Sequence, residues 1–320
     1  MTTSPITTVA MVGSGYMGGG IAQVLANAGC TVRLADVSAE VTLENLERII
    51  RESEAFEAGG LFASGSTERI RAGVTAASTI EEAVEGVDLI EEAVYETIEV
   101  KSATLARISA ANSDAIIGSN TSTISITELA KHVERPERFL GVHFSNPAPF
   151  IPGVELIPHP TTDETKLDAV ASLLRSAAKE PARVKDATGF VLNRLQYALF
   201  HEATKLVDEG VASVEDIDMI ARTTFGFRLP FFGPFAIADM AGLDVYAFCY
   251  RSLQTTFPER FATPPILQER IDAGHLGTKS GGGFREIDPA RTAELVAYRN
   301  KAYAKMQDLL DDLGPSPLDD

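Results

Sequence analysis

The sequence predicts an α/β protein, a doubly wound sheet followed by a smaller all-α domain. Three observations predict it. Short β-rich apolar runs alternate with helix-period segments through the first half of the chain. A glycine-rich turn, Gly13-Ser14-Gly15-Tyr16-Met17-Gly18, follows the first of those runs. Near residues 186–190 the character changes, and the remainder reads as mostly helical. The expected domains are therefore 1–187 and 188–320, which suits 320 residues at ~150 per domain.

Val9-Ala10-Met11-Val12 is the first expected strand, with a helix over Ile21 to Ala28. Thr31 to Ala35 is the second strand, ended by Asp36. A long helix pattern runs from Ala39 to Ala58 and gives way to a loop at Gly59, Gly60, Ser64, Gly65 and Ser66. Thr75–Ala77, Leu89–Ala93, Ala115–Gly118 and Phe139–His143 read as further strands, most of them separated by helices. That alternation implies a parallel sheet wrapped on both faces. In the second half, Phe190 to Glu209 has helical spacing and stops at Gly210. Ser213 caps a helix over Val214 to Thr223, with Glu215 and Asp216 in its first turn. Pro230, Gly233 and Pro234 break the chain before a helix at Phe235 to Ala241. Pro289 to Leu313 is a charged amphipathic helix.

The totals exclude several classes. The net charge of −17 argues against nucleic acid or an anionic membrane as partner. Asp311, Asp312, Asp319 and Asp320 contribute to it. No apolar run reaches the ~18 residues of a membrane span. Met1 to Thr8 carries no Lys or Arg and leads into a strand rather than a secretion signal. Cys30 and Cys249 form no metal-ligand spacing and read as reduced thiols of a cytoplasmic protein.

The glycine turn carries the first chemistry. Gly13 permits the tight turn, Gly15 lets a pyrophosphate approach the backbone, and Gly18 allows close helix–strand packing. The helix behind them, starting through Tyr16 and Met17, offers free N–H groups and a positive dipole end to phosphate. This is the Rossmann-type arrangement. Asp36 stands about 20 residues on, at the end of the second strand, where a carboxylate bonds the ribose hydroxyls of NAD and repels the 2′-phosphate of NADP. NAD is the expected cofactor, and no metal is expected.

With the next motifs, the chain resembles the 3-hydroxyacyl-CoA dehydrogenase superfamily from Val9 to about Phe284. The resemblance rests on Gly13-x-Gly15-x-Met17-Gly18-x-Gly20-Ile21-Ala22, then Ser119-Asn120-Thr121-Ser122, then His143-Phe144-x-Asn146-Pro147-x-Pro149 with Glu155 twelve residues after the histidine. It continues in Gly189-Phe190-Val191-Leu192-Asn193-Arg194 and in Gly233-Pro234-Phe235 with Asp239 and Gly242-Leu243-Asp244.

His143 ends an apolar strand, at the carboxyl edge where doubly wound sheets bind ligands. A neutral imidazole can take the proton of a secondary alcohol as hydride leaves the same carbon. Asn146 to Pro149 turn the chain, and Val154-Glu155-Leu156 would return beside the first strand of that turn, so that Glu155 orients the imidazole. Ser119 follows a strand and should face the same cleft, with its hydroxyl donating to the reacting oxygen; its alternative role is to cap a turn. Asn193 sits early in the first helix of the second domain, and its amide would bond a substrate carbonyl or hydroxyl. The resemblance implies the same role for Asn193, and implies that Asn146, Glu96 and Lys101 contact the nicotinamide side. Lys101 could equally be a solvated helix residue.

Two departures bear on the substrate. Thioester enzymes of the superfamily usually carry lysines after the second strand, where the CoA phosphates lie, and this chain has no lysine before Lys101. Glu52, Glu54 and Glu57 stand there instead and would oppose a polyanion, with Arg48, Arg51, Arg69 and Arg71 as possible compensation. Phe150 to Pro160 resembles the lambda-crystallin branch, which oxidises L-gulonate, and related hydroxy-acid dehydrogenases. Ser119–Ser122 and Gly277–Phe284 look more like the thioester enzymes. The expectation is a small 3-hydroxy acid, with a 3-hydroxyacyl-CoA as the alternative substrate and a crystallin-like or NAD-sensing protein as the non-enzyme one. A carboxylate substrate would need a cation, for which Arg194 and Arg228 are candidates. Phe225, Phe227, Phe231, Phe232 and Phe235 exceed what a small helical domain hides, so a two-fold homodimer is expected; alternatively they form that domain's own core.

Overall fold

The computed structural model describes residues 5–317. Asp319 and Asp320 of the acidic end, and the first four residues, lie outside that range. The chain forms two compact units, one through Leu199 and one from Phe200.

The first unit contains β1 (Thr8–Val12), α1 (Tyr16–Asn27), β2 (Thr31–Ala35), α2 (Ala39–Ala58), α3 (Ser66–Gly73), β3 (Val74–Ala76), α4 (Ile80–Val84), β4 (Leu89–Glu92), α5 (Ile98–Ala111), β5 (Ile116–Ser119), α6 (Ile126–Ala130), β6 (Phe139–Phe144), β7 (Gly153–Pro158), α7 (Glu164–Ser176) and β8 (Glu180–Arg183). α8 (Leu192–Asp208) follows. The second unit then holds α9 (Val214–Thr223), α10 (Pro234–Ala241), α11 (Leu243–Thr256), α12 (Pro265–Asp272) and α13 (Thr292–Leu313).

The sheet order is β3-β2-β1-β4-β5-β6-β7-β8. Its first six strands are parallel to their neighbours, and the order reverses between β1 and β4, which opens a ligand crevice at the carboxyl ends of these strands. The strands are apolar on both faces because both faces are covered. Val9, Met11, Leu34 and Leu89 pack with α1 on one side, and Ala10, Val12, Ile90 and Ile117 pack with α5 on the other.

β7 runs antiparallel to β6, the return expected of Val154–Leu156 after the Asn146–Pro149 turn, and β8 pairs parallel with β7 at the sheet edge. β8 was not expected from sequence: it reads Glu-Pro-Ala-Arg, and only an edge strand tolerates that proline. Helix starts shift as well. Gly189 (φ 74°) and Phe190 (φ 46°) are both left-handed, so the helix expected from Phe190 begins at Leu192. Pro289–Arg291 is a 3-10 turn ahead of α13.

Ala238, Leu243, Ala247 and Leu267 form the small core of the second unit. Phe232 is buried against Tyr298 and Tyr303, and Phe227 and Phe231 also meet Tyr303. Part of the aromatic excess is thus absorbed by that unit's own packing, while Phe235 is 53% exposed and α9 buries none of its residues.

Candidate active site

The turn between β1 and α1 is built as a phosphate cradle. Gly13 has φ 93°, and a Cβ there would meet the Ala93 carbonyl oxygen at 2.6 Å. At Gly18 a Cβ would lie 1.8 Å from the Gly13 carbonyl oxygen, so only glycine lets α1 pack this tightly. Beside Gly15 there is open space, with nothing within 4 Å of a Cβ. α1 begins there with no side-chain cap, which leaves its first N–H groups to a ligand. Tyr16 is exposed, and Met17 packs partly on the core. A dinucleotide pyrophosphate fits this loop.

Asp36 closes the cradle. Its Oδ2 accepts from the Ser14 N–H and from Ser14 Oγ, both at 2.7 Å, and its Oδ1 accepts from the Val37 N–H at 2.8 Å. Asn45 donates to Ser14 Oγ at 3.0 Å. The Asp36 carboxylate is therefore held against the loop.

β6 and β7 form the second half of the site. Their antiparallel register puts Glu155 directly opposite His143, and His143 Nδ1 lies 2.8 Å from Glu155 Oε2. Glu155 Oε1 accepts from the Val191 and Leu192 N–H groups at 2.9 and 3.0 Å. Burial works against the Glu155 carboxylate, but the His143 contact and these two amides outweigh it and keep it below the usual carboxylate range. His143 is 5% exposed and packs on Phe190. The left-handed pair at 189–190 thus has a purpose: it aims two consecutive amides at Glu155. Asn146, beyond β6, is exposed.

The ends of β4 and β5 bring further groups to the same edge. Ser119 is in register with Gly141, so it shares a sheet face with His143. Its Oγ donates to Glu92 Oε2 at 2.6 Å. In the structure the Ser119 hydrogen goes to Glu92, and the residue is fully buried. Lys101 is buried rather than solvated. Its Nζ pairs with Glu92 at 2.8 Å and with Glu96 at 3.3 Å. Glu96 Oε1 accepts from Thr121 Oγ1 at 2.6 Å and from the Ser122 and Thr123 amides at 2.8 and 3.0 Å. Burial opposes this carboxylate too, but these donors and the Lys101 ammonium outweigh it and lower its pKa. Asn193 Nδ2 donates to the Ser122 carbonyl at 2.9 Å, so its amide finds a partner within the fold. Glu92 and Thr121 were not singled out from sequence. The signal was present in Glu91-Glu92, two adjacent acids inside a strand that reads as buried.

These features coincide with a known family. A family model for the NAD binding domain of 3-hydroxyacyl-CoA dehydrogenase matches residues 8–187, and one for the C-terminal domain matches 189–287. The chain belongs to the 3-hydroxyacyl-CoA dehydrogenase family. It is an NAD-dependent oxidoreductase acting on a CH–OH group. It is 34% identical over 310 residues to a 5-formyl-3-hydroxy-2-methylpyridine 4-carboxylate 5-dehydrogenase of Mesorhizobium japonicum, covering 96% of this chain and 99% of that one. It is 36% identical to a probable 3-hydroxybutyryl-CoA dehydrogenase of Bacillus subtilis, over 88% of this chain and 98% of the relative. The crystal structure of a 3-hydroxyacyl-CoA dehydrogenase from Archaeoglobus fulgidus superposes with a TM-score of 0.78 at 32% identity, over 96% of this chain and 99% of that one. Among the described residues, no helix is long and apolar enough to cross a membrane.

On α2 and α3 the arginines expected to offset the glutamates are engaged with neighbouring groups. Arg48 pairs with Glu52 at 2.9 Å and donates to the Ser14 and Gly15 carbonyls. Arg51 lies 3.7 Å from Glu47, Arg69 donates to Ser66 Oγ, and Arg71 is shared by Glu54 and Glu68. Glu57 accepts from the Gly65 and Thr67 amides at 2.7 Å; the Thr67 hydroxyl and these amides push its pKa down to about 2.

Proposed function

We propose that the protein oxidises the secondary alcohol of a small 3-hydroxy acid, of the gulonate, carnitine or hydroxycarboxylate kind. The observation that carries the reaction is the His143–Glu155 pair. Bound NAD supplies the hydride acceptor. Glu155 engages Nδ1 of His143, which leaves Nε2 to take the alcohol proton as general base. The Glu155 carboxylate then offsets the charge of the imidazolium, and the Val191 and Leu192 amides stop it rotating away. In the reverse direction the imidazolium returns the proton. Ser119 and Asn193 position the substrate; Glu96, Lys101 and Asn146 border the nicotinamide side.

The choice of a free acid rests on the α2–α3 face. Three of its four arginines pair with carboxylates, which reduces the positive charge offered to the phosphates of CoA, whereas Arg69 donates to the neutral Ser66 hydroxyl. Phe56, Phe62 and Phe150 form an aromatic cluster on the same side. The Mesorhizobium japonicum relative, named for a pyridine carboxylate, supports this reading. A 3-hydroxyacyl-CoA substrate is the second reading, favoured by the Bacillus subtilis relative at similar identity. A cytoplasmic homodimer belongs to the same proposal: Cys30 and Cys249 are free thiols, and the second unit exposes Phe200, Met219, Ile220 and Phe248.

The test is NADH formation with L-gulonate, carnitine, simple 3-hydroxy acids and L-3-hydroxybutyryl-CoA. Turnover of free acids is expected. Strong activity on the thioester with none on free acids overturns the substrate assignment.

A further inference from the structure

Three glycines run together in α1, Gly18-Gly19-Gly20. Gly18 belongs to the glycine motif and packs on the Gly13 carbonyl. Gly20 faces the catalytic loop, where a Cβ would lie 3.0 Å from Pro149 and 3.3 Å from Ala148. The motif gives Gly19 no part. Its neighbour is Arg48 of α2: a Cβ on Gly19 would lie 2.8 Å from Arg48 Nη2 and 3.0 Å from Ile49 Cγ1.

The space left at Gly19 lets the guanidinium reach the glycine turn. Nη2 donates to the Ser14 carbonyl at 2.9 Å and to the Gly15 carbonyl at 3.1 Å. Nη1 donates to the two Glu52 oxygens at 2.9 and 3.0 Å, which holds the side chain from behind. An i,i+4 ion pair on a helix needs no such reach. The two carbonyls matter for what lies at the other end of their peptide groups. Among the described residues the one cis peptide bond is Asn146–Pro147, so these peptides are trans, with C=O and N–H opposed. A carbonyl tied to Arg48 turns the N–H of the next residue away from it. Arg48 thereby fixes the directions of the Gly15 and Tyr16 N–H groups.

We propose that Arg48 is a positioning residue for the cofactor: by binding the carbonyl ends of two peptide groups it holds the Gly15 and Tyr16 N–H groups for the pyrophosphate. This rests on the reading that the glycine turn takes the pyrophosphate. The arrangement needs a planar fork rather than a point charge, because one nitrogen serves two carbonyls while the other serves Glu52. A lysine would keep the charge and lose the fork. If Arg48 served only to hold α2, its loss would lower stability and leave discrimination between nucleotide ligands unchanged.

The effect is read as a ratio, the Kd for adenosine over that for ADP-ribose, measured by competition with NADH fluorescence in the absence of substrate. Both ligands carry the adenosine, and only ADP-ribose carries the pyrophosphate. R48M is expected to lower the ratio about tenfold, the scale of one hydrogen bond to a charged ligand, through ADP-ribose rather than adenosine. R48K should lower it nearly as far. G19A keeps every charge but crowds the guanidinium off the two carbonyls. It should move the ratio the same way and add nothing in the R48M background. A wild-type ratio in R48M, or full recovery of the ratio in R48K, overturns the proposal. If R48M folds poorly, G19A and R48K are read by the same ratio, and wild-type values in both overturn it. An unmodified protein that binds ADP-ribose no more tightly than adenosine sinks the reading of the glycine turn instead.

Discussion

His143 Nδ1 and Glu155 Oε2 stand 2.8 Å apart at registered positions of the β6–β7 hairpin, and the second Glu155 oxygen is held by two backbone amides. Glu155→Gln should therefore lower kcat by about 10²–10⁴-fold, the scale seen when a histidine's orienting carboxylate is lost. His143→Gln should abolish turnover. Both should leave the NAD Kd within about twofold, because neither residue belongs to the glycine turn proposed to hold the pyrophosphate. Steady-state kinetics with fluorescence titration checks this; substantial turnover by the histidine variant would sink the general-base assignment. The carboxylate's folded pKa lies below its unfolded value, so its stabilisation is present above the ordinary carboxylate range and fades as pH falls through the folded value. Glu155→Gln should thus cost stability near neutral pH and progressively less in acid.

Asp36 is bonded to the glycine loop, and its proposed place is at the ribose. Asp36→Ala removes the carboxylate that repels a 2′-phosphate, and should reduce the NAD-over-NADP preference in kcat/KM by at least about tenfold. It also deprives the Ser14 N–H and hydroxyl of their acceptor. NAD affinity should fall as well, whereas Asn45→Ala, which touches only Ser14, should keep the cofactor preference. Equal use of NAD and NADP by the unmodified protein would contradict the role given to Asp36.

Most of the nucleotide half was legible because its signals are local. The glycines, the alternating apolar runs and Asp36 each act within a turn of their own position, and the strands fall where expected within a residue or two. Glu155 was legible because a hairpin places it. What escaped depends on distant partners. The partners of Glu92 become visible only when β4 and β5 align and bring Ser119 to it. Lys101 reads as an ordinary helix residue until β4 supplies the acid that buries it. β8 hides behind Pro181 and its charged ends, since an edge strand needs little apolar sequence.

Glu91, the neighbour of Glu92, points to the opposite sheet face and has the opposite fate. It lies between Met11 and Gly118 in register, is 1% exposed, and neither carboxyl oxygen has a hydrogen-bond partner among the described residues. Gly118 leaves it room: a Cβ there would lie 2.0 Å from Glu91 Oε2. Burial, with the nearby Glu92 charge, pushes its pKa well above the usual carboxylate range. The sign follows: the unfolded chain ionises first as pH rises, so Glu91 costs stability above the ordinary range and little below it. Glu91→Met should raise stability by about 1–3 kcal/mol near neutral pH, with the gain shrinking toward about pH 4. Urea denaturation at both pH values checks it; a destabilised variant at neutral pH would show that Glu91 has a partner the fold requires.

Lys179 governs the loop that joins His143 to Glu155. Its buried Nζ donates to the carbonyls of Ala148 at 2.6 Å, Ile151 at 2.8 Å and Pro149 at 3.3 Å. Burial lowers its pKa, and no acid contributes to that shift. Removing the ammonium leaves three carbonyls short of a donor in a segment that sets the β6–β7 register. Lys179→Met should cost about 2–4 kcal/mol of stability. It should also lower kcat, because Ala148 to Ile151 lie in the loop between His143 and Glu155, and weaken NAD binding as well, because the same loop packs on α1, where a Cβ on Gly20 would lie 3.0 Å from Pro149. Lys179→Arg offers donors of another shape and should recover part of the stability but little of the kcat, since one guanidinium fork cannot reproduce three convergent ammonium bonds. A methionine variant with unchanged melting temperature and turnover would show that the loop holds its shape without this side chain.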